Sequence, residues 1–224
     1  MTLDPIQIRV LGALIEKEIA TPENYPLSLN ALVNACNQRS SRDPVTNLTE
    51  DEVRQALHTL EDMGLTAVER SSRVAKYEHR IRTVLNLRRD ETAVLCLLFL
   101  RGPQTPGELR ARADRLYSFD GLDAVESTLG RLTAAADETG DQAGGARDLR
   151  PLAVVLPRQP GSREARYAHL LGGPVEATVQ DSSGEVRQAL AAGPTLAARV
   201  AELEAEVAGL RAAVARIEDR LAGS

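Results

Sequence analysis

Cysteine is scarce in this chain, which has 224 residues and only two cysteines, Cys36 and Cys96. Two cysteines cannot build a disulfide framework, and each lies among apolar residues with helical spacing, so we expect small buried side chains in a reducing compartment. The three histidines, His58, His79 and His169, are scattered from each other and from both cysteines. This spacing is not that of a zinc site, and we expect neither a metal site nor a cofactor.

Long apolar runs are also missing. The longest, residues 93–100, is far shorter than the roughly 18 residues needed to cross a bilayer. Residues 1–10 lack the basic start and apolar core of a signal peptide. We therefore expect a cytoplasmic protein that does not associate with membranes.

Catalytic motifs are a third absence. The loop-like string at residues 102–107 lacks the Gly-Lys-Ser/Thr ending of a phosphate-binding loop. No serine lies in a nucleophile elbow, and most carboxylates stand at helix starts or on solvated faces, where they cap helices and aid solubility. We expect a protein that is not an enzyme and has no catalytic residues.

An internal repeat organises the first three quarters of the chain. The Thr-Pro pair at residues 21–22 recurs at 105–106, an offset of 84, and the segment 75–79 recurs at 165–169, an offset of 90. The order of features is preserved along both copies, so loop insertions explain the drift in offset. We therefore expect two copies of one structural unit.

Each copy has the pattern of three helices followed by a β-hairpin. In the first copy the third helix is the clearest, because Thr49 and Glu52 form a capping box and Gly64 can supply the left-handed stop. Strand-like segments follow at residues 65–69 and 74–79. Three helices and a hairpin form the winged-helix arrangement, in which the third helix can enter a major groove of DNA. A generic small α+β core without a nucleic-acid role is the alternative.

The C-terminal region has a heptad pattern. Eight apolar residues alternate steps of four and three over nearly four repeats, and β-branched residues at a with mostly Leu at d favour a parallel two-stranded coiled coil. Attractive pairs of Arg199 with Glu204 and of Glu206 with Arg211 also favour the parallel direction. A helix folded back on its own domains is the alternative. The predicted dimerisation residues are Leu196, Val200, Leu203, Val207, Leu210, Val214, Ile217 and Leu221.

These observations predict a mainly α fold with small β-hairpins (α+β), made of two tandem winged-helix domains and a C-terminal coiled-coil helix. The predicted segments are winged-helix domain 1 at residues 1–84, winged-helix domain 2 at 85–173, a flexible linker at 174–194 and a dimerisation helix at 195–224.

The coiled coil leads to a test of oligomeric state. We expect the full-length chain to be a homodimer, because its Leu and Val seam would be exposed in a monomer. We expect the chain without residues 195–224 to be a monomer. Light scattering after size-exclusion chromatography measures both masses. A full-length monomer at micromolar concentration contradicts the prediction, and a dimer that survives truncation places the interface in the folded domains.

Several longer strings carry a resemblance to a known family. The strings are LIEK at 14–17, TPENYPL at 21–27, ACNQ at 35–38, RDPV at 42–45, LRGPQTPGELR at 100–110 and REARY at 163–167. On these strings the chain resembles the YceH-like family of bacterial proteins, which implies a tandem winged-helix fold and brings no established catalytic residues. Ser41 stands where the family pattern leads us to expect Asn.

Charge is unevenly distributed. The chain has a net charge of -5, whereas residues 65–115 alone carry +5. Arg and Gln on the third helix suit base edges, and basic residues of the wing and of the preceding loop suit phosphates. The predicted DNA-binding residues are Arg39, Arg42, Arg54, Gln55, His58, Arg70, Arg73 and Lys76.

The sequence thus favours a dimeric winged-helix protein that binds double-stranded DNA, a transcriptional regulator. Against this function, Glu50, Asp51 and Glu52 crowd the leading end of the first copy's third helix. The second copy offers Asp120, Asp123, Glu126 and Ser127 on its third helix. The alternative is a non-catalytic adaptor that uses its winged helices and acidic faces to bind other proteins.

Overall fold

The structure is a computed structural model, and it describes residues 1–70, 74–134, 151–158 and 164–173. The predicted linker, the coiled-coil helix with its dimerisation residues, and Arg73 of the wing lie outside the described residues. These predictions remain predictions.

The first copy consists of three main helices and a three-stranded antiparallel sheet in the order β1-β3-β2. Its elements are α1 (Pro5–Ala20), a 3-10 helix (Pro22–Asn24), β1 (Leu27–Ser28), α2 (Leu29–Cys36), α3 (Glu50–Asp62), β2 (Thr66–Glu69) and β3 (Lys76–His79).

The second copy repeats this plan after a short connecting helix. A two-stranded antiparallel sheet closes it, with Ala153 opposite His169 and Val155 opposite Tyr167. Its elements are α4 (Ile81–Val84), which connects the copies, α5 (Arg89–Arg101), α6 (Pro106–Ala113), α7 (Leu122–Thr133), β4 (Ala153–Val155) and β5 (Tyr167–His169).

Local capping signals set the helix boundaries. The predicted capping box of α3 is present, since the Thr49 side chain accepts from the Glu52 backbone N–H and Glu52 accepts from that of Thr49 at 2.7 Å. Thr105 and Glu108 form the same box at α6. Gly64 follows α3 with a φ of +71°, a conformation that costs glycine little. Side chains adjacent in sequence therefore fix these boundaries.

The two Thr-Pro pairs that match in the sequence, at residues 21–22 and 105–106, begin elements that are not equivalent. Thr105 caps α6, the second helix of its copy, whereas Thr21 precedes only the 3-10 helix. Ser28 caps α2 instead, accepting from the backbone N–H of Ala31 at 3.3 Å. The first copy carries an insertion here that includes β1, which the sequence did not predict.

The strand pairing supports the repeat more strongly. In the first copy Leu27 of β1 pairs with Tyr77 of β3, and in the second Gln104 forms an antiparallel bridge with Tyr167. Tyr77 and Tyr167 are equivalent at the predicted offset. The predicted mainly helical fold with small antiparallel hairpins is confirmed, and this topology is compatible with two winged helices.

The two copies pack on each other through α1 and α5. Gly12 lies at this contact, where an added Cβ would come within 2.8 Å of a Leu100 side-chain carbon and 3.0 Å of the Phe99 Cβ. The Cys96 thiol donates to the Gly12 carbonyl at 3.4 Å. Both cysteines are buried, as predicted, and burial raises the pKa of Cys36 to about 12. One hydrophobic core thus runs through both copies.

Candidate interaction groove

A groove lies between α3 and the β2–β3 hairpin of the first copy. Its volume is about 190 Å³. Thr66 pairs with His79 and Val68 with Tyr77, and because side chains alternate along a strand, Arg70 shares the face of Val68. The groove is lined by Arg54, Leu57, His58, Glu61, Val68, Arg70, Ala75 and Tyr77.

Helix α3 supplies one wall of the groove. Its inward residues Val53, Leu57 and Leu60 are buried, which turns the face with Arg54, His58 and Glu61 toward solvent. Spacings of three and four residues place these three side chains along one side of the helix. Leu57 is only 3% exposed and forms an apolar floor beneath the polar rim.

Arg54, the candidate for reading a base edge, is held by its own helix. Its guanidinium makes short ion pairs with Glu50 and Asp51, one turn earlier. The side chain is 44% exposed, so it lies at the surface with its charge already compensated. Two carboxylates against one guanidinium leave this end of α3 acidic, a surface that repels phosphates.

Arg42 is not placed to contact DNA. Its side chain is 0% exposed and pairs with Glu16 of α1, with the closest N–O distance 2.7 Å. It also donates to the Ala35 carbonyl from Nε at 3.1 Å and from Nη2 at 2.7 Å. The predicted phosphate contact is therefore wrong for Arg42, because this residue ties the loop after α2 to α1 and α2.

The other predicted DNA-binding residues lie at different places. Of these, Arg39, Gln55, His58 and Arg70 are exposed, and Lys76 is half-buried on β3. The groove brings Arg54 and His58 of α3 together with Arg70 of the hairpin, but its lining does not include Arg39, Gln55 or Lys76.

Sequence reasoning missed the apolar half of this site. Val68 and Tyr77 were expected only as strand residues, and Ala75 and Glu61 were not singled out. The alternation of Val68 and Arg70 was a usable signal, because period two places both side chains on one face of the hairpin. That this face turns toward α3 follows only from the packing of β2 on α3.

The third helix of the second copy has a similar charge arrangement. Arg131 of α7 pairs with Asp90 of α5, and its Nε lies 3.4 Å from Glu91 Oε1. Asp123 and Glu126 on the same helix are exposed. In both copies, therefore, carboxylates compensate an arginine of the third helix, and the outer face is acidic.

Two of the three histidines contact side chains of other elements of the fold. His79 is buried, and its Nε2 lies 2.8 Å from Glu18 Oε2. His169 packs edge-on against Phe99, and burial lowers its pKa to about 4. Among the described residues, no three His, Cys, Asp or Glu side chains are grouped to hold a metal ion.

None of the helices in the part of the chain that the structure describes has both the length and the apolar character to span a bilayer.

Comparison with known proteins identifies the family. The family model described as "Protein of unknown function, DUF480" matches residues 3–162. A UPF0502 protein of Koribacter versatilis is 53% identical over 208 residues, which cover 92% of this chain and 89% of the relative. A UPF0502 protein of Chromobacterium violaceum is 48% identical over 223 residues, covering 99% and 93%. The chain therefore belongs to the DUF480/UPF0502 family, in agreement with its resemblance to YceH-like proteins.

Proposed function

We propose that this protein is a non-catalytic adaptor that binds a segment of another protein in the groove between α3 and the β2–β3 hairpin. The observation that carries the proposal is the groove itself, with its apolar floor and polar rim. Its 190 Å³ exceeds the roughly 150 Å³ of an engineered cavity that holds benzene. It is smaller than the roughly 300–1,000 Å³ of typical small-molecule sites. One Leu- or Phe-sized anchor from a partner suits this space.

Charge supports a protein partner over nucleic acid. Nucleic-acid affinity comes mainly from cations that neutralise phosphates. Here Arg54 is compensated by Glu50 and Asp51, and Arg42 is buried against Glu16. Two of the predicted contacts are thus already engaged within the protein.

The predicted dimer would strengthen such an adaptor. Two chains joined by residues 195–224 present two grooves, and a partner with two segments would bind the second at a raised effective concentration. The adaptor's overall affinity then depends on the coiled coil as well as on each groove.

Filling the groove tests the adaptor function. Ala75 is exposed at the groove, so Ala75→Trp places a large ring there with little effect on the core. In a pull-down with cross-linking, we expect the wild type to retain protein partners after nuclease treatment. We expect Ala75→Trp to lose the same partners.

Ala111→Trp is the matched control, because Ala111 is an exposed alanine of α6 outside the groove lining. It is expected to behave as the wild type. Partners that bind Ala75→Trp as well as the wild type contradict the adaptor proposal for this groove.

A DNA-binding regulator is the second candidate function. The observation that favours it is the convergence of Arg54, His58 and Arg70 on one surface of α3 and the hairpin, with Arg39 and Gln55 exposed elsewhere. In that function the hairpin residues hold phosphates and α3 lies in the major groove.

DNA binding predicts a strong salt dependence. The slope of log affinity against log salt should be about -0.9 for each phosphate contact, and replacing Arg70 and Arg73 together with Ala should flatten it by about one unit per lost contact. Fluorescence anisotropy of genomic fragments at several salt concentrations measures the slope. No binding tighter than about 10⁻⁴ M at low salt rules this function out.

A further inference from the structure

The two walls of the groove carry opposite charges that are not matched to each other. Glu61 lies on the α3 wall and Arg70 on the hairpin wall, and both are exposed. Neither makes an ion pair with any described residue. A carboxylate and a guanidinium that line one groove without pairing can each bind a charge on an incoming chain.

The other charged side chain that lines the groove does not cancel the opposite charges of its two walls. Arg54 is occupied by Glu50 and Asp51. It stands seven residues before Glu61, so about 10 Å of helix separates the two positions. The α3 wall is therefore acidic at both ends, and Arg70 is the cation lining the groove that has no ion pair among the described residues.

Between the two charges lies the apolar space. Leu57 is buried beneath the groove and Val68 and Tyr77 are half-buried, so the exposed atoms of Val68 and Tyr77 form a patch over Leu57 that one apolar side chain can cover. Such a patch supplies affinity, and the flanking charges supply direction and specificity.

We infer that the occupant is a partner-protein segment with one branched or aromatic apolar residue, flanked on one side by a basic and on the other by an acidic residue. The apolar residue enters the groove, the basic residue pairs with Glu61 and the acidic residue pairs with Arg70. This inference rests on the proposed adaptor function and adds the chemistry of the segment. Because the walls differ in sign, the segment binds in one direction.

A library of random phage-displayed peptides, panned on the full-length protein, provides the probe. We expect the enriched peptides to share the apolar residue between opposite charges. Replacing that residue with Ala in a synthetic peptide should weaken binding about tenfold or more, since burial of one large apolar side chain carries this much affinity. Ala75→Trp should weaken it similarly, and Ala111→Trp should not.

Charge reversal tests the polarity. Glu61→Lys and Arg70→Glu should each weaken binding about two- to tenfold, as expected for exposed ion pairs. A peptide whose matching charge is also reversed should recover that loss. Arg110→Glu is the control, because Arg110 is exposed on α6 outside the groove lining. All these positions are exposed, so unchanged thermal melting verifies the fold.

The outcomes separate this inference from the proposed function. If the peptides bind Ala75→Trp more weakly but bind Glu61→Lys and Arg70→Glu as tightly as the wild type, the inferred polarity is wrong and the adaptor function stands. The inference also fails if no groove-dependent peptide is enriched while Ala75→Trp still loses partners in the pull-down. If Ala75→Trp changes neither measurement, the adaptor function fails as well.

Discussion

Replacing Arg42 with Ala is expected to lower the free energy of unfolding by about 3–5 kcal/mol, the usual cost of removing one partner from a buried ion pair. The change leaves Glu16, whose side chain is only 16% exposed, without its guanidinium. It also removes both donors to the Ala35 carbonyl. Urea denaturation of the full-length chain measures the loss.

Arg39→Ala is the matched control, because Arg39 is exposed three residues earlier in the same loop. Its expected effect is within about 0.5 kcal/mol of the wild type, as for most surface substitutions. Equal stabilities of Arg42→Ala and Arg39→Ala would show that Arg42 does not hold the loop, and Arg42 would again be a candidate for DNA contact.

The loss of stability in Arg42→Ala is also expected to depend on pH. Burial alone would raise the pKa of Glu16, but hydrogen bonding and charge attraction from Arg42, with help from Lys17, lower it below its usual value. A lowered folded-state pKa contributes stability above the unfolded pKa and loses it as pH falls through the folded pKa. Because Glu16 titrates alike in the two unfolded chains, we expect the stability difference between wild type and Arg42→Ala to be full at neutral pH. It should begin to shrink where the partly buried Glu16 of the variant takes up a proton, and it should be lost as pH falls through the lowered pKa of Glu16 in the wild type. A difference independent of pH contradicts this.

Replacing Gly12 with Ala is expected to destabilise the protein by about 1–3 kcal/mol, the usual cost of overpacking a core. The new Cβ would meet Leu100 at 2.8 Å and the Phe99 Cβ at 3.0 Å. Since both neighbours belong to α5, relief requires α1 and α5 to move apart. Thermal and urea denaturation measure the effect.

Gly130→Ala is the control with the opposite expected sign. Gly130 lies in α7 and an added Cβ would meet nothing within 4 Å. Ala favours a helix over Gly by about 1 kcal/mol, so this change should stabilise. If Gly12→Ala stabilised the protein as much as Gly130→Ala, the close approach of α1 and α5 would be wrong.

Much of the fold could be predicted because its signals are local. Thr49, Glu52 and Gly64 mark the limits of α3 in the sequence, and the structure places the helix between them. Val53, Leu57 and Leu60 recur in the sequence at helical spacing, and the structure buries all three on one face of α3. Capping and periodicity depend on residues within one or two turns, so a single sequence contains them.

Part of the site could also have been predicted from local spacing. Glu50 and Asp51 precede Arg54 by four and three residues, the separations at which opposite charges pair on a helix. The sequence showed this crowding, but the base-reading function given to Arg54 assumed a free side chain. The ion pairs in the structure follow from that spacing.

Tertiary structure alone decided the rest. Arg42 meets Glu16 across 26 residues, and the groove forms only where the hairpin packs beside α3. The sequence by itself determined the helices, the hairpins and the repeat, because each depends on neighbouring residues, and the coiled coil stays a prediction. Which arginines are buried, which are compensated and which face a partner depends on contacts between distant segments, and composition and periodicity contain no information about those contacts.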